Sequence, residues 1–91
     1  MRILWGPEGW DDYRHWQEAE AKILRQVNAL IEDIGRHPFE GLGRPEPLWR
    51  ELEGWWSRRI TRKDRLVYRI LGADDEELIE IIGCRYHYRR P

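Results

Sequence analysis

Three ionisable side chains stand where their chemistry could serve catalysis, and the first is Glu46. Pro45 and Pro47 flank it, and both rings restrict the backbone, which would hold the carboxylate on a stiff, non-helical segment. The same pattern is typical of a surface glutamate in a loop that prolines keep ordered. Glu46 is therefore a candidate catalytic carboxylate, with a plain loop residue as the alternative.

The second is Arg65, which lies in a cluster of basic residues that we call the basic patch. A guanidinium presents a planar fork of donors, which can hold two phosphate oxygens and the charge that develops between them. The interleaved Trp55, Trp56 and Tyr68 would suit RNA, whose bases stack on rings, but they could equally face the core. An ordinary solvated hairpin is the alternative. The basic patch comprises Arg58, Arg59, Arg62, Lys63, Arg65 and Arg69, with Asp64 as its single acid.

The third is His87, in the closing stretch CRYHYRRP, residues 84–91. Near neutral pH, histidine is the side chain best suited to donate or accept a proton. If the last strand continues to its position, Arg85 and His87 share one face, and Cys84, Tyr86 and Tyr88 share the other. An ordinary surface histidine at a strand end is the alternative.

These groups match what is needed to cleave an RNA phosphodiester without a metal or another cofactor. The 2′-hydroxyl must lose a proton, the phosphorane must be neutralised, and the departing 5′-oxygen must gain a proton. No histidine spacing resembles a metal site. The single cysteine, Cys84, is expected to be buried, and it excludes both an internal disulfide and a multi-cysteine metal site.

The composition fits one folded domain over residues 1–91 with a modest core. The hydrophobic fraction is 41%, and six Trp residues supply large buried contacts. The net charge of −1 argues weakly against a freestanding nucleic-acid binder, so the basic patch matters more than the total charge. The opening residues are too few for a signal-peptide core and no apolar run is long enough to span a membrane, so we expect a cytoplasmic protein.

The elements that would position these residues form an α+β plan. Residues 2–5 predict a first strand, and Pro7 suits the first turn of a first helix. A second helix is predicted from apolar residues at i, i+4, i+7, i+8 and i+11 counted from Ile23, and Gly35 with Pro38 would end it. Regular structure is not expected in the Gly- and Pro-rich residues 37–49.

Three strand-like runs follow at residues 52–61, 65–71 and 78–88, separated at hairpin lengths. The expected fold is therefore an antiparallel sheet, made of a short N-terminal strand and a C-terminal three-stranded meander. Two N-terminal helices would cover one face of this sheet.

Four blocks of the sequence, in matching order, resemble the Txe/YoeB family of toxins, within the RelE/ParE superfamily of bacterial toxin–antitoxin systems. They are WDDYRHWQ (10–17), HPFEGLGRPEPL (37–48), GWWSRRITRKDRLVYRI (54–70) and CRYHY (84–88). The resemblance covers nearly the whole chain. It implies a compact fold like that of microbial ribonucleases, with a sheet and two helices, which agrees with the plan above.

The resemblance also implies an activity, that of a ribosome-dependent endoribonuclease that cuts mRNA in the A site and halts translation. The family's general base, in the PEPL loop, falls on Glu46, and the arginine of the RLVY strand that stabilises the transition state falls on Arg65. The family's general acid falls on His87, and the tyrosine that helps to position the substrate falls on Tyr88. Arg59, in SRRIT, is expected to hold mRNA or phosphate.

Further candidates for contact with RNA or phosphate are Arg58, Lys63, Arg85 and Trp49. Many family members carry a basic residue in place of Trp49, which could stack on a base or pack on a dimer partner. Many also end at the tyrosine that matches Tyr88, so residues 89–91 lie outside the family pattern.

The implied partners are the ribosome, mRNA and a YefM-like antitoxin whose disordered C-terminal segment folds against the toxin. Such a segment needs acidic and apolar residues to cover the basic patch. The resemblance further implies a homodimer or a toxin–antitoxin hetero-oligomer, which contacts operator DNA only through the antitoxin and involves no membrane. The alternative function is that of a non-catalytic, ParE-like module, which inhibits DNA gyrase by docking and lacks the Glu, Arg and His set.

Overall fold

The computed structural model describes residues 1–87, in which two helices accompany a five-stranded sheet, so the predicted α+β class is confirmed. None of the helices in this part of the chain is long and apolar enough to cross a membrane. The helices are α1 (Pro7–Ala19) and α2 (Ala21–Arg36). The strands are β1 (Arg2–Trp5), β2 (Glu46–Pro47), β3 (Trp56–Arg59), β4 (Arg65–Leu71) and β5 (Leu78–Gly83).

Helix α1 begins with Pro7 at a position where its missing N–H is no loss, and it lies close against β5. A Cβ on Gly9 would stand 2.5 Å from the carbonyl oxygen of Ile81, so only glycine allows this approach. In α2 the predicted apolar stripe faces the sheet, with Val27, Leu30 and Ile34 fully buried. The helix runs through Gly35 and ends at Arg36.

The sheet has the order β1-β5-β4-β3-β2. Strands β3 to β5 form the predicted antiparallel meander, and the unpredicted β2 adds antiparallel to β3, but β1 pairs with β5 in parallel. The sheet is therefore mixed, which corrects the expectation of an antiparallel sheet for its first edge strand. The chain between β1 and β5 contains both helices and strands β2 to β4, so it is long enough for the crossover that a parallel neighbour needs.

The two faces of the sheet differ in what covers them. The helices bury one face around Leu66, Tyr68 and Ile81, and this is the main core. On the other face a smaller apolar cluster lies under the segment that joins β2 to β3. Its members are Leu48, Trp55, Val67 and Ile82, with Leu52 at its side.

Several predicted boundaries were wrong. Residues 37–49 contain the short strand β2, and residues 52–55 form the end of a 3₁₀ helix and a turn rather than the start of a strand. The last strand ends at Gly83, so the predicted alternation along a strand does not hold for residues 84–87. Tyr86 has a φ of +64°, a left-handed conformation that a strand cannot include. Tyr88 and residues 89–91 lie outside the described residues.

Candidate active site

A pocket of about 130 Å³ lies at one end of the sheet, on the face opposite the helices. The three predicted catalytic side chains that the structure describes, those of Glu46, Arg65 and His87, all line it. Its lining as a whole is polar, with three guanidinium groups, one carboxylate, one imidazole and one hydroxyl. The lining residues are Arg44, Glu46, Ser57, Arg59, Arg65 and His87.

Glu46 is held by backbone pairing along the edge of the sheet. It pairs with Ser57, and Pro47 occupies an edge position where no ladder donor is needed. Hydrogen bonds close both ends of the segment, because Arg59 N donates to Gly43 O (2.7 Å) and Leu48 N donates to Trp55 O (2.9 Å). These bonds fix the backbone at Glu46, and the residue itself is exposed to solvent.

Arg44 is a lining residue that the sequence reasoning missed. It has a φ of +54°, and such a conformation in a non-glycine residue is strained and is enriched at functional sites. The sequence gives no signal for it, because a residue before a proline is expected to be extended, whereas Arg44 is left-handed. Ser57 could have been found by the alternation of side chains along a strand, since it lies two residues before Arg59 on β3.

Arg59 and Arg65 are direct partners across the β3–β4 pair, so their guanidinium groups enter the pocket from adjacent strands. Arg65 Nη1 donates to the carbonyl oxygens of Thr61 (3.0 Å) and Asp64 (3.0 Å) within its own hairpin turn. These bonds orient the guanidinium group of a half-buried side chain. Paired arginines of this kind suit a phosphate group, which accepts several charge-assisted hydrogen bonds.

His87 reaches the pocket from the segment that follows β5. The start of this segment is anchored on α1, because Trp16 Nε1 donates to Cys84 O (2.7 Å) and Cys84 N donates to Asp12 Oδ2 (3.0 Å). Farther along, Arg65 N donates to Tyr86 O (2.8 Å). His87 is therefore brought to the pocket by tethers to a helix and a hairpin, and not by a continuing strand.

Arg58 is a correction to the predicted RNA-binding set, because its side chain is fully buried on the helix side of β3. Its Nη1 contacts Asp33 Oδ2 at 2.6 Å, and its Nε donates to Tyr68 Oη at 3.2 Å. It also donates to the carbonyl oxygens of His37, Glu40 and Leu42. Arg58 thus fixes the loop before β2 to the sheet and cannot reach RNA.

Two pKa values are displaced in this buried cluster. The hydrogen bond from Leu42 N, followed by that from Arg58, lowers the pKa of Asp33. Burial raises the pKa of Tyr68, whose hydroxyl donates to Pro38 O at 2.5 Å. Both shifts favour a charged Asp33 and a neutral Tyr68 at ordinary pH.

The other predicted contact residues do not line the pocket. Lys63 is exposed in the β3–β4 turn, and Trp49 is 76% exposed beside a 3₁₀ turn. Arg85 is half-buried, with its guanidinium over the rings of Trp16 (5.9 Å) and Tyr86 (4.7 Å).

The basic patch is thus not one surface, and its interleaved rings mostly face the interior. Arg69 pairs with Glu80 at 2.6 Å and lies over Trp55. Trp55 and Tyr68 are buried, and the half-buried Trp56 packs on the main core, so these rings are not a platform for bases.

The arrangement places a carboxylate and an imidazole around a site rich in guanidinium groups. The carboxylate or the imidazole can accept a proton while the other of the two donates one. The guanidinium groups can stabilise negative charge that develops in the pocket. Within residues 1–87, no group of three or more His, Cys, Asp or Glu side chains could hold a metal ion.

Comparison with known proteins identifies the relatives of this chain. Residues 5–88 match the model of the family described as YoeB-like toxin of bacterial type II toxin-antitoxin system. Toxin YoeB of Escherichia coli (strain K12) is 52% identical over 88 residues, which cover 97% of this chain and 100% of that protein.

Solved structures agree with this relationship. A YoeB/ParE toxin from Agrobacterium tumefaciens superposes with a TM-score of 0.94 at 46% identity, covering 97% of this chain and 100% of that one. The YoeB of Staphylococcus aureus, 38% identical, has been solved as a dimer (TM-score 0.84) and in a heterotetrameric YoeB-YefM toxin-antitoxin complex (TM-score 0.85). Each of these two structures covers 97% of this chain and 98% of the other.

Proposed function

The chain belongs to the YoeB-like family of toxins of bacterial type II toxin–antitoxin systems, and we propose that it is a ribosome-dependent endoribonuclease that cleaves mRNA in the A site. The observation that carries this proposal is the meeting of Glu46, Arg65 and His87 around one pocket, although they come from three separate parts of the chain. The alternative, a non-catalytic ParE-like inhibitor that acts by docking, does not require these three side chains to lie together.

The proposed reaction is transesterification without a metal ion. Glu46 takes the proton of the 2′-hydroxyl, and the freed oxygen attacks the adjacent phosphorus. Arg65, with Arg59 and Arg44, holds the non-bridging oxygens as negative charge builds on the phosphorane. His87 gives a proton to the 5′-oxygen as its bond to phosphorus breaks, leaving a 2′,3′-cyclic phosphate and a 5′-hydroxyl.

Outside the pocket, four side chains are proposed to contact the RNA. The exposed Lys63 and the half-buried Arg85 would contribute positive charge toward phosphates, which adds affinity and little selectivity. Trp49 offers an exposed ring next to the loop that carries Glu46, which suits stacking on a base. Tyr88 is proposed to help position the substrate, as the family pattern implies.

We further propose a YefM-like antitoxin as the partner of this chain, in a toxin–antitoxin hetero-oligomer. The Staphylococcus aureus relative supports this, since it is found with YefM in a heterotetramer and also as a dimer. An acidic and apolar segment could cover the guanidinium groups of the pocket, so that it blocks RNA by occupying the same charges.

The test is a cleavage assay on ribosomes that carry a short mRNA with a defined A-site codon. We expect the purified protein to cut within that codon, and to cut the same mRNA far more slowly when it is free of ribosomes. An intact mRNA on ribosomes, with a correctly folded protein, would refute the proposed function.

A further inference from the structure

Asp64 is the single acid of the basic patch, and the proposed reaction gives it no role. A carboxylate in a surface that binds a polyanion weakens that binding. Asp64 is half-buried, and both of its carboxylate oxygens accept hydrogen bonds from the chain. These contacts point to a structural role for the Asp64 carboxylate rather than to RNA binding.

One oxygen ties Asp64 to its own hairpin. Thr61 Oγ1 donates to Asp64 Oδ2 at 2.7 Å, and in return accepts from the backbone N–H groups of Lys63 (3.2 Å) and Asp64 (3.0 Å). Ile60 N also donates to Asp64 O at 3.0 Å. The carboxylate is thus fixed in orientation by the β3–β4 turn.

The other oxygen reaches the segment that carries His87. Tyr86 N donates to Asp64 Oδ1 at 2.8 Å, and Arg65 N donates to Tyr86 O at 2.8 Å. Both backbone groups of Tyr86 are therefore bound by two consecutive residues of the hairpin. Its left-handed conformation (φ +64°) is unfavourable for a residue other than glycine, so it needs such contacts to persist.

We propose that Asp64 is a positioning residue for His87. The carboxylate fixes Tyr86 in its left-handed turn, and this turn directs the next residue, His87, into the pocket beside Arg65. Asp64 touches neither the RNA nor the reacting atoms. The inference rests on the proposed function of His87 as the general acid.

Asp64→Ala and Asp64→Asn separate positioning from charge. An asparagine keeps an oxygen that can accept from Tyr86 N, whereas alanine keeps none. We expect Asp64→Ala to lower the single-turnover cleavage rate on saturating programmed ribosomes about tenfold to a hundredfold, as misplaced catalytic groups do. Asp64→Asn should restore most of that rate, and its KM should be equal to or lower than that of the wild type, because a negative charge is gone.

A second readout does not depend on activity. The amide hydrogen of Tyr86 should exchange with solvent faster in Asp64→Ala than in the wild type, while amides of α2 should not change. Thr61→Val, which frees the carboxylate from the hairpin, should lower the cleavage rate in the same direction by a smaller factor. Asp75→Ala, which removes an exposed acid near the far end of β4, serves as the control with unchanged rate.

The outcomes are distinct. Asp64→Ala with the rate of the wild type, or with unchanged Tyr86 exchange, would overturn the positioning role. A rate lost equally in Asp64→Ala and Asp64→Asn would also overturn it, because the charge would then be what matters. If the wild-type protein does not cleave programmed ribosomes at all, the proposed function fails, and Tyr86 exchange still tests the contact.

Discussion

Arg58 and Arg59 are neighbours on β3, and their side chains lie on opposite faces of the sheet. Arg58 is fully buried against α2 and the loop before β2, while Arg59 is exposed and lines the pocket. Side chains alternate along a strand, so one arginine serves the fold and the next serves the site. The pair allows stability and activity to be tested separately.

Arg59→Ala is expected to lower cleavage roughly ten- to a hundredfold, because a charge-assisted hydrogen bond to phosphate is lost. Its free energy of unfolding should stay within about 0.5 kcal/mol of the wild type, since the side chain is exposed. Cleavage rates on programmed ribosomes and urea unfolding check the two parts. An unchanged cleavage rate would remove Arg59 from the site.

Arg58→Ala is expected to lower the free energy of unfolding by about 3 kcal/mol or more, because carbonyl oxygens of the loop lose their buried donor. Urea unfolding followed by tryptophan fluorescence measures this. Arg62→Ala is the matched control, an exposed arginine of the same patch with an expected change within about 0.5 kcal/mol. Equal stability of the two variants would contradict the structural role of Arg58.

Asp33 should make stability depend on acid pH. Its folded-state pKa is lowered, so its contribution is present above the unfolded pKa of about 4 and is lost as pH falls through the folded value. We expect wild type to be more stable than Asp33→Asn at neutral pH, with a gap that narrows below about pH 4. Urea midpoints measured across this range provide the check, and a gap independent of pH would contradict it.

Tyr68 should make stability depend on alkaline pH. Its folded-state pKa is raised, so its contribution is complete below the unfolded pKa of about 10 and declines as pH rises through the folded value. Tyr68→Phe should cost about 1–2 kcal/mol at neutral pH, because Pro38 O loses a donor. The difference from wild type should shrink above about pH 10. Thermal midpoints of the two proteins, measured across this pH range, provide the check. A difference between wild type and Tyr68→Phe that grows above about pH 10 would contradict the prediction.

Much of the fold could be predicted because its signals are local. The apolar stripe of α2 has the helical period, and the prolines around Glu46 restrict the backbone whatever lies elsewhere in the chain. The parallel pairing of β1 with β5 joins residues more than seventy positions apart, as Arg2 with Leu78, and no local pattern encodes it.

The candidate site was predictable in part for the same reason. The burial of Arg58 cannot be predicted, because a run of charge does not show which side of a strand each residue takes. The end of β5 before His87 cannot be predicted either, because the left-handed turn at Tyr86 depends on distant contacts with Asp64 and Arg65. These contacts appear only once the hairpin and the C-terminal segment meet.

The most direct test of the proposed mechanism replaces the attacking 2′-hydroxyl of the substrate with hydrogen. A programmed mRNA with a 2′-deoxy sugar at the scissile nucleotide lacks the hydroxyl that Glu46 is proposed to deprotonate. We expect the wild-type protein to cleave the ribose substrate in the A site and to leave the deoxy substrate uncut at that bond. Cleavage of the deoxy substrate at a similar rate would contradict it.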